Sequence, residues 1–218
     1  CTLCQRYSAS AFIVHSLMEK TNFSLERGNL IETMGPSGSG KSTLLYLIGG
    51  LEKPSGGKVF IDNDLLGSLS DKKESLVRQN KIGFVFQFYN LVPHLNVEEN
   101  IMLPILISGG SKKEYSAQLE MLIEKVGLND KRKSYPRELS GGQQQRVAIA
   151  RALINSPEII LADEPIGNLD SKTGKEIMEL FKDINESLNT VIIQVTHSKE
   201  SAKYGSRIIN VKDGKLVS

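Results

Sequence analysis

The sequence predicts an α/β fold, in which a mainly parallel sheet carries helices on its faces and an α-helical subdomain is inserted at about residues 88–140. Short apolar runs typical of strands alternate with longer helix-type runs along most of the chain, which is the pattern of a parallel sheet. Between residues 87 and 140 this alternation stops, because prolines interrupt helical patterns and no convincing strand occurs. No repeat or long linker divides the 218 residues, so we expect one domain over residues 1–218.

Local composition predicts the individual elements. Five short runs rich in apolar and β-branched residues predict the strands Leu30–Met34, Lys58–Ile61, Ile82–Phe86, Glu158–Ala162 and Thr190–Val195. Helix-type runs predict the helices Lys41–Ile48, Asp71–Asn80, Tyr115–Val126, Gly141–Ile154 and Ser171–Leu188. We expect Gly49 and Gly50 to end the first helix, Ser171 to cap the last one, and residues 212–215 to form a closing hairpin turn.

Composition limits the classes of function. The 27 basic and 25 acidic residues give a net charge of +2, so no global field points toward nucleic acid. The basic clusters at residues 72–73, 112–113 and 131–133 are expected to lie on solvated surface. No apolar run approaches the roughly 20 residues that span a bilayer, so another chain must do the spanning if this protein acts at a membrane. Cys1 and Cys4 could form half of a zinc site or a redox pair, but no second ligand pair exists and free thiols are expected.

A glycine-rich segment between a predicted strand and a predicted helix matches the phosphate-binding pattern G-x-x-x-x-G-K-[ST]. Glycines let the backbone wrap close to phosphate, so that successive N–H groups and the helix N-terminus face the anion. Lys41 can reach the β- and γ-phosphates, and the Ser42 hydroxyl can ligate Mg²⁺. The flanking strand and helix disfavour the alternative, a glycine-rich turn without function. The sequence therefore predicts a P-loop NTPase core, with a phosphate loop made of Gly35, Pro36, Ser37, Gly38, Ser39, Gly40, Lys41, Ser42 and Thr43.

Two carboxylates end the apolar strand that precedes Pro165. Asp163, at the end of a buried strand beside the phosphate loop, suits Mg²⁺ coordination, either directly or through water. Glu164 is placed to orient or deprotonate the attacking water. Acids that merely open a loop are the alternative, and the neighbouring phosphate loop makes that alternative the weaker one.

The segment from Leu139 to Gln143 is the most discriminating. It sets a hydroxyl and two glycines at the start of a helix, which makes a second anion-binding helix N-terminus. The chain thus offers two phosphate cradles but one acidic strand end. An economical explanation is that the second cradle serves a nucleotide held by another copy, whereas a glycine N-cap of no chemical consequence is the alternative.

This L-S-G-G-Q segment, which lies between the phosphate loop and the acidic strand, resembles the signature of ATP-binding cassette (ABC) ATPases. The resemblance extends from about Tyr7 to Leu216, with the motifs in the family's order. It implies an N-terminal antiparallel β portion, the cofactors ATP and Mg²⁺, and a head-to-tail dimer with two ATP molecules at its interface. Each ATP would lie between one chain's phosphate loop and the other chain's signature tip, which we define as Ser140, Gly141, Gly142 and Gln143.

The resemblance also implies roles for single residues. Gln87 resembles the glutamine that reaches Mg²⁺ and the attacking water, and His197 resembles the switch histidine at the γ-phosphate. Residues 167–170 resemble the loop that crosses the dimer interface. Tyr7 falls where the family places an aromatic ring on adenine, and a core or surface tyrosine is the alternative.

Three positions depart from the family's pattern. Ile166 stands where threonine is common, and Glu32 and Thr33 occupy a strand that is usually more apolar. The phosphate chemistry does not depend on these positions.

The function that the resemblance implies is ATP hydrolysis that powers a membrane transporter. Residues 87–104, together with residues 139–153, are similar to the lipoprotein-release, macrolide-export and antimicrobial-peptide-export subfamily. This similarity implies a separate transmembrane permease, a hydrophobic substrate and a peripheral location on the cytoplasmic face of the inner membrane. The apolar segment 88–93 could receive a permease helix or pack within the helical subdomain.

Other classes of function fit the sequence less well. A soluble ABC ATPase that acts on nucleic acid or ribosomes would carry a coiled coil, a second cassette or a basic face, and this chain has none of them, so no nucleic acid partner is expected. A P-loop kinase or GTPase would not explain the signature tip, and no N-K-x-D guanine-reading segment occurs.

Overall fold

Residues 12–15, 22–62, 64–198 and 200–217 are described by a computed structural model of the chain. Cys1, Cys4 and Tyr7, for which the sequence suggests free thiols and an adenine contact, lie outside these residues. In the described part of the chain, ten strands form two sheets. They are β1 (Phe12–His15), β2 (Asn22–Leu25), β3 (Leu30–Met34), β4 (Lys58–Ile61), β5 (Asp64–Leu66), β6 (Ile82–Phe86), β7 (Ile159–Asp163), β8 (Val191–Val195), β9 (Arg207–Lys212) and β10 (Lys215–Val217).

The larger sheet has six strands in the order β10-β9-β3-β8-β7-β6. All neighbours pair in parallel except β9 and β10, which form a closing hairpin through Asp213 and Gly214. Both turn residues have positive φ, as a tight two-residue turn requires. The predicted mainly parallel sheet and the closing turn are therefore confirmed.

The smaller sheet, in the order β2-β1-β4-β5, is antiparallel throughout. It confirms the expected antiparallel β portion. Two of its strands, β4 and β5, come from a later part of the chain, after the phosphate loop.

Among the described residues, six α-helices accompany the strands: α1 (Lys41–Ile48), α2 (Asp71–Lys81), α3 (Val97–Ile107), α4 (Ser116–Lys125), α5 (Gly141–Leu153) and α6 (Ser171–Leu188). Short 3-10 helices lie at Asn129–Lys131, Pro136–Glu138 and Ser201–Tyr204. Between residues 88 and 140, all of which are described, the chain is helical or irregular and forms no strand, as the sequence predicts. Among the helices of the described residues, none combines the length and the apolar character that crossing a bilayer requires.

The expected cap of α6 at Ser171 is wrong. Asp170 is the N-cap, and its Oδ1 accepts hydrogen bonds from the backbone N–H groups of Lys172 and Thr173 at 3.1 and 3.0 Å. A side chain in the extended residue before the first turn can reach these N–H groups, whereas Ser171 already lies inside the helix.

The larger sheet has a hydrophobic core on each face. Leu30 and Ile31, neighbours in β3, point to opposite faces because successive side chains of a strand alternate. Leu30 belongs to a cluster that joins the sheet to buried side chains of α3, α4, α5 and α6, so the helical subdomain and this face share one core. Ile31 belongs to a second cluster with α1, α2 and the smaller sheet.

The sequence predicts that the basic clusters lie on solvated surface, but residues of two of them form ion pairs with a buried carboxylate. Lys112, Arg132 and Lys133 converge on the buried carboxylate of Glu98, in α3, with N–O distances of 3.1, 2.8 and 2.6 Å. Burial alone would raise the pKa of Glu98, but hydrogen bonds from Lys133, Lys112 and Arg132 lower it to about 2. The three partners lie 14 to 35 positions away from Glu98 in the chain, so no local sequence pattern predicts this network.

Candidate functional site

The segments predicted to carry chemistry follow four adjacent strands of the larger sheet. The phosphate loop follows β3, Gln87 follows β6, Asp163 ends β7 with Glu164 directly after it, and His197 comes two residues after β8. Neighbouring parallel strands end at one edge of a sheet, and ligand sites of α/β proteins form at that edge. The fold therefore gathers these segments at one place.

The phosphate loop depends on two of its glycines for space and conformation. A Cβ at Gly35 would lie 2.0 Å from the carbonyl oxygen of Val211, so the backbone approach excludes any side chain. Gly40 caps α1 with a φ of 98°, in the left-handed region. Lys41 is buried, and its ammonium group donates to the carbonyl oxygen of Pro36 at 2.8 Å. No described side chain caps the first N–H groups of α1, which leaves the positive end of the helix facing the loop.

Both oxygens of the Asp163 carboxylate are held by side chains of α1. The Ser42 hydroxyl donates to Oδ1 at 2.9 Å, and the Tyr46 phenol donates to Oδ2 at 2.7 Å. Burial, and after it the hydrogen bond to Asp163, raises the pKa of Tyr46 to about 12, so the phenol keeps its proton at neutral pH. Sequence reasoning missed Tyr46. The available signal was its position four residues after Ser42, on the same face of the helix.

Glu164 and His197 meet beyond the ends of β7 and β8. Oε2 of Glu164 and Nδ1 of His197 are 3.2 Å apart, and the two side chains are 27% and 69% exposed. Glu164 has a φ of 46°, a left-handed conformation that a residue with a side chain rarely adopts outside constrained sites. Its backbone N–H donates to the carbonyl oxygen of Val195 at 3.1 Å, which ties the loop to the end of β8. The result is a carboxylate that water can reach and whose partner, in the part of the chain that the structure describes, is one imidazole.

Gln87 is bound to the segment that follows Glu164. The amide nitrogen of Gln87 donates to Oδ1 of Asn168 at 3.1 Å, and Nδ2 of Asn168 donates to the carbonyl oxygen of Gln87 at 3.2 Å. A Cβ at Gly167 would lie 2.8 Å from the Gln87 amide nitrogen, so the backbone packs directly on this side chain. Sequence reasoning singled out residues 167–170 for an interface role and missed this contact with Gln87.

The oxygen donors at this edge fit Mg²⁺. They are the Ser42 hydroxyl, the Asp163 carboxylate and the amide oxygen of Gln87, whose amide nitrogen is engaged by Asn168. Mg²⁺ prefers such hard ligands and usually completes its shell with phosphate and water. Residues 12–15, 22–62, 64–198 and 200–217 contain no group of three or more His, Cys, Asp or Glu that could hold a metal. A site with one carboxylate that shares the ion with a nucleotide therefore fits, and a dense all-protein cage does not.

The signature tip begins α5 and is held by its own side chains. The Ser140 hydroxyl accepts from the Gln143 N–H at 3.3 Å, and Oε1 of Gln143 accepts from the Ser140 N–H at 2.9 Å, which completes a capping box. A Cβ at Gly142 would lie 2.4 Å from Cγ2 of Thr173, so α6 packs against the tip. No hydrogen bond of the described residues links the tip to the phosphate loop of the same chain.

Comparisons with known proteins agree with these motifs. The family model described as ABC transporter matches residues 18–167, which is more than half of the chain. A protein of Thermotoga maritima described as an uncharacterized ABC transporter ATP-binding protein is 48% identical over 195 residues, which cover 89% of this chain and 83% of that protein. The lipoprotein-releasing system ATP-binding protein LolD of Aquifex aeolicus is 46% identical over 203 residues, which cover 93% of this chain and 90% of LolD.

A solved structure shares the fold over nearly the whole chain. It is the dimeric post-hydrolysis state of the ATP-binding cassette MJ0796 bound to ADP and Pi, with a TM-score of 0.83 and 41% identity over 95% of this chain and 97% of that chain. The MJ0796 protein of Methanocaldococcus jannaschii is described as an uncharacterized ABC transporter ATP-binding protein. The similarity covers the phosphate loop, the acidic end of β7 and the signature tip alike.

Proposed function

We propose that this chain, which belongs to the ABC transporter family, is the ATP-hydrolysing subunit that powers a membrane transporter. The match over residues 18–167 and the likeness to a cassette solved with ADP and Pi make the chain an ATPase. The proposed roles of particular residues in ATP hydrolysis rest on one observation. The segments that contain Lys41, Asp163, Glu164 and His197 meet at one edge of the larger sheet.

Lys41 and the N-terminus of α1 bind the β- and γ-phosphates of ATP in the proposed complex. The buried ammonium group of Lys41 already donates to the Pro36 carbonyl oxygen, so it is held beside the loop before the nucleotide arrives. Ser42, Asp163 and Gln87 would hold Mg²⁺, with Asp163 acting directly or through water. Bound there, the ion would neutralise phosphate charge.

Glu164 acts as the general base that takes a proton from the attacking water. Its carboxylate is open to water and is oriented by the 3.2 Å contact with His197. His197 donates toward the γ-phosphate, where negative charge develops during transfer. The two residues come from the ends of adjacent strands, β7 and β8, so the sheet itself fixes their spacing.

A second copy of the chain completes each nucleotide site. The signature tip is a preformed helix N-terminus that has no hydrogen bond to the phosphate loop of its own chain in the described residues. The MJ0796 cassette, which shares the fold, was solved as a dimer. In the proposed dimer the tip of one copy closes over the γ-phosphate held by the other, and closure excludes water other than the nucleophile.

The transport role is supported by the relatives and by exposed apolar side chains. By their name, the LolD relatives serve a lipoprotein-releasing system. For this chain we infer a separate permease subunit, a hydrophobic substrate such as a lipoprotein, peptide or drug, and a position on the cytoplasmic face of the inner membrane. Phe88 and Ile107 are 73% and 78% exposed, which suits docking of a permease helix. Neither the relatives nor the site supports the alternative of action on nucleic acid or ribosomes.

Site-specific photo-crosslinking tests the transport role. A crosslinking residue replaces Phe88 or Ile107 in cells, and Leu188, an exposed apolar residue at the end of α6, serves as the matched control. We expect positions 88 and 107 to capture an integral membrane protein that position 188 does not capture. The captured protein, reconstituted with this chain in lipid nanodiscs, should stimulate ATP turnover, and Glu164→Gln should abolish the stimulated rate. Capture of ribosomal proteins, or of no membrane protein at all, would overturn the transport role.

A further inference from the structure

Tyr46 stands beside the proposed metal site without being assigned any role by the motifs. It lies in α1 four residues after Ser42, so both side chains project from the same face of the helix toward the end of β7. There each hydroxyl group donates a hydrogen bond to one oxygen of the Asp163 carboxylate, Ser42 to Oδ1 at 2.9 Å and Tyr46 to Oδ2 at 2.7 Å. One helix thus holds both the phosphate loop and the acid of the neighbouring strand.

When a divalent ion is bound, we expect one of these two hydrogen bonds to be lost and the other to remain. In the proposed function Ser42 is itself a ligand, so its hydroxyl oxygen turns a lone pair toward the ion. Tyr46 is not a ligand, and its phenol continues to donate to Oδ2. A carboxylate held at one oxygen keeps its plane fixed while the other oxygen faces the ion. Without the Tyr46 donor, the carboxylate would keep the Ser42 hydrogen bond before the ion arrives and would lose it when Ser42 turns toward the ion, so ion binding itself would have to fix the carboxylate plane.

We propose that Tyr46 is a positioning residue of the divalent-ion site, which holds Asp163 so that Oδ1 faces Ser42. The inference rests on the proposed function, because it assumes that Ser42 and Asp163 hold the ion that accompanies ATP. The phenol acts through Asp163 and touches neither the nucleotide nor the reacting atoms.

The packing of Tyr46 allows the hydroxyl to be removed by itself. Its ring packs against the core cluster of α1 and α2, and its backbone carbonyl oxygen accepts from the Leu51 N–H at 2.9 Å. Tyr46→Phe keeps both features and deletes only the donor to Asp163. Tyr115→Phe, in the helical subdomain, is the matched control because it deletes a phenol from another partly buried tyrosine.

The readout is the binding of Mn²⁺, used in place of Mg²⁺, to the chain in the presence of ATP; electron paramagnetic resonance measures it, after the Mn²⁺ that ATP binds in the absence of the chain has been subtracted. All chains carry Glu164→Gln so that turnover does not consume the nucleotide. We expect Tyr46→Phe to weaken Mn²⁺ binding about tenfold. ATP binding measured in EDTA, without any divalent ion, should be unchanged. If Tyr46 had a merely structural role, its replacement would weaken this binding too. Tyr115→Phe should bind Mn²⁺ as the parent chain does.

Two outcomes separate this inference from the function on which it rests. If the parent chain binds Mn²⁺ with ATP and Tyr46→Phe binds it equally well, the role of Tyr46 is overturned and the proposed function stands. If the parent chain shows no ATP-dependent Mn²⁺ binding, both are overturned. An equal loss of ATP binding with and without the ion would also overturn the positioning role, since it would show a general distortion of the loop.

Discussion

Two buried glutamates, one in the helical subdomain and one in the larger sheet, have opposite surroundings, which shift their pKa values in opposite directions. Glu98 accepts hydrogen bonds from three cationic side chains, and its pKa falls to about 2. Glu32, in the middle of β3, is fully buried, and neither of its carboxylate oxygens has a hydrogen-bond partner in the described residues. Burial alone raises the pKa of Glu32 from the ordinary value of 4.5 to about 8.

The surroundings of Glu32 explain why it is neutral where Glu98 is charged. Its register partners on the neighbouring strands are Gln194 in β8 and Ile208 in β9. Gly205 also lies against the side chain of Glu32, because a Cβ there would be 2.5 Å from Cγ of Glu32. None of these neighbours carries a positive charge, so the protonated form is favoured at neutral pH.

The comparison shows why Glu164 is the glutamate that can serve as a base. The carboxylate of Glu98 already accepts hydrogen bonds from three cationic side chains, and the side chain of Glu32 is not exposed to water. Glu164 has a side chain that is 27% exposed, and its partner among the described residues is His197. A carboxylate accepts a proton from water only if water can reach it and if its lone pairs are not all engaged, so position and partners, rather than residue type, separate the three roles.

Glu164→Gln should have the largest effect, because it removes the proposed general base. We expect ATP turnover to fall at least about 100-fold, while ATP binding is retained, since general-base catalysis contributes that much and the phosphate loop is untouched. Turnover assays and equilibrium ATP binding measure the two quantities. Glu186→Gln, at an exposed glutamate of α6 that lies beside Lys182, is the control and should turn over ATP normally. Normal turnover by Glu164→Gln would refute its role.

Glu98→Ala should lower the stability of the helical subdomain. Loss of the shared carboxylate leaves three cations close together, and we expect the free energy of unfolding to fall by about 2 kcal/mol near neutral pH. Partial exposure of the cations screens them and keeps the loss below that of a sealed ion pair. The folded-state pKa of Glu98 is lowered, so its contribution is present above its ordinary pKa and is lost as the pH falls toward about 2. Urea unfolding should therefore find a smaller difference at acid pH, and a difference that grows as the pH falls would contradict the network.

Glu32→Gln should stabilise the chain, and only at high pH. In the unfolded chain Glu32 ionises at its ordinary pKa, whereas the folded chain keeps its proton up to about pH 8. The free energy of unfolding therefore falls as the pH rises between these two values, and a neutral glutamine removes that slope. We expect a gain of about 1–2 kcal/mol at about pH 9 and little change at about pH 5, measured by urea unfolding. The same gain at both pH values would show that packing, and not ionisation, is responsible.

Asp170→Ala should have the smallest effect. It removes the N-cap of α6, whose carboxylate accepts two backbone hydrogen bonds and one from the Thr173 hydroxyl. These hydrogen bonds lower the pKa of Asp170, with that of the Thr173 hydroxyl contributing most. We expect the thermal midpoint to fall by about 2–4 °C at neutral pH. Ser171→Ala, at the residue that the sequence wrongly suggests as the cap, is the control and should leave the midpoint nearly unchanged.

The sequence predicts what depends on local pattern and misses what depends on distant pairing. The parallel strands, the bounds of α1 and the start of α5 at Gly141 follow from apolar runs and turn residues, and the structure confirms them. The catalytic and binding roles of the site residues stay predictions, although their segments do meet at one edge. By contrast, the sequence did not single out α3, because Pro104 interrupts its helical pattern. The structure nevertheless carries that proline inside the helix.

The missed contacts share a physical reason. Tyr46 and Asp163 are 117 positions apart in the chain, and Gln87 and Asn168 are 81 apart. Only the order of the strands brings such pairs together. The unusual Glu32 was visible in the sequence, but its neutral state depends on neighbours from β8 and β9 that no local pattern specifies.

The central claim is that each copy completes the other copy's nucleotide site, and subunit mixing tests it most directly. Lys41→Ala disables a phosphate loop, and Ser140→Arg blocks a signature tip, so each variant by itself should be inactive. A mixed dimer would combine the intact loop of one variant with the intact tip of the other in a single complete site. With random pairing, the mixture should recover about a quarter of the parent ATPase activity, because half of the dimers are mixed and each has one working site of two. A mixture that stays as inactive as its components, or a Ser140→Arg chain that hydrolyses ATP at the parent rate, would contradict the account.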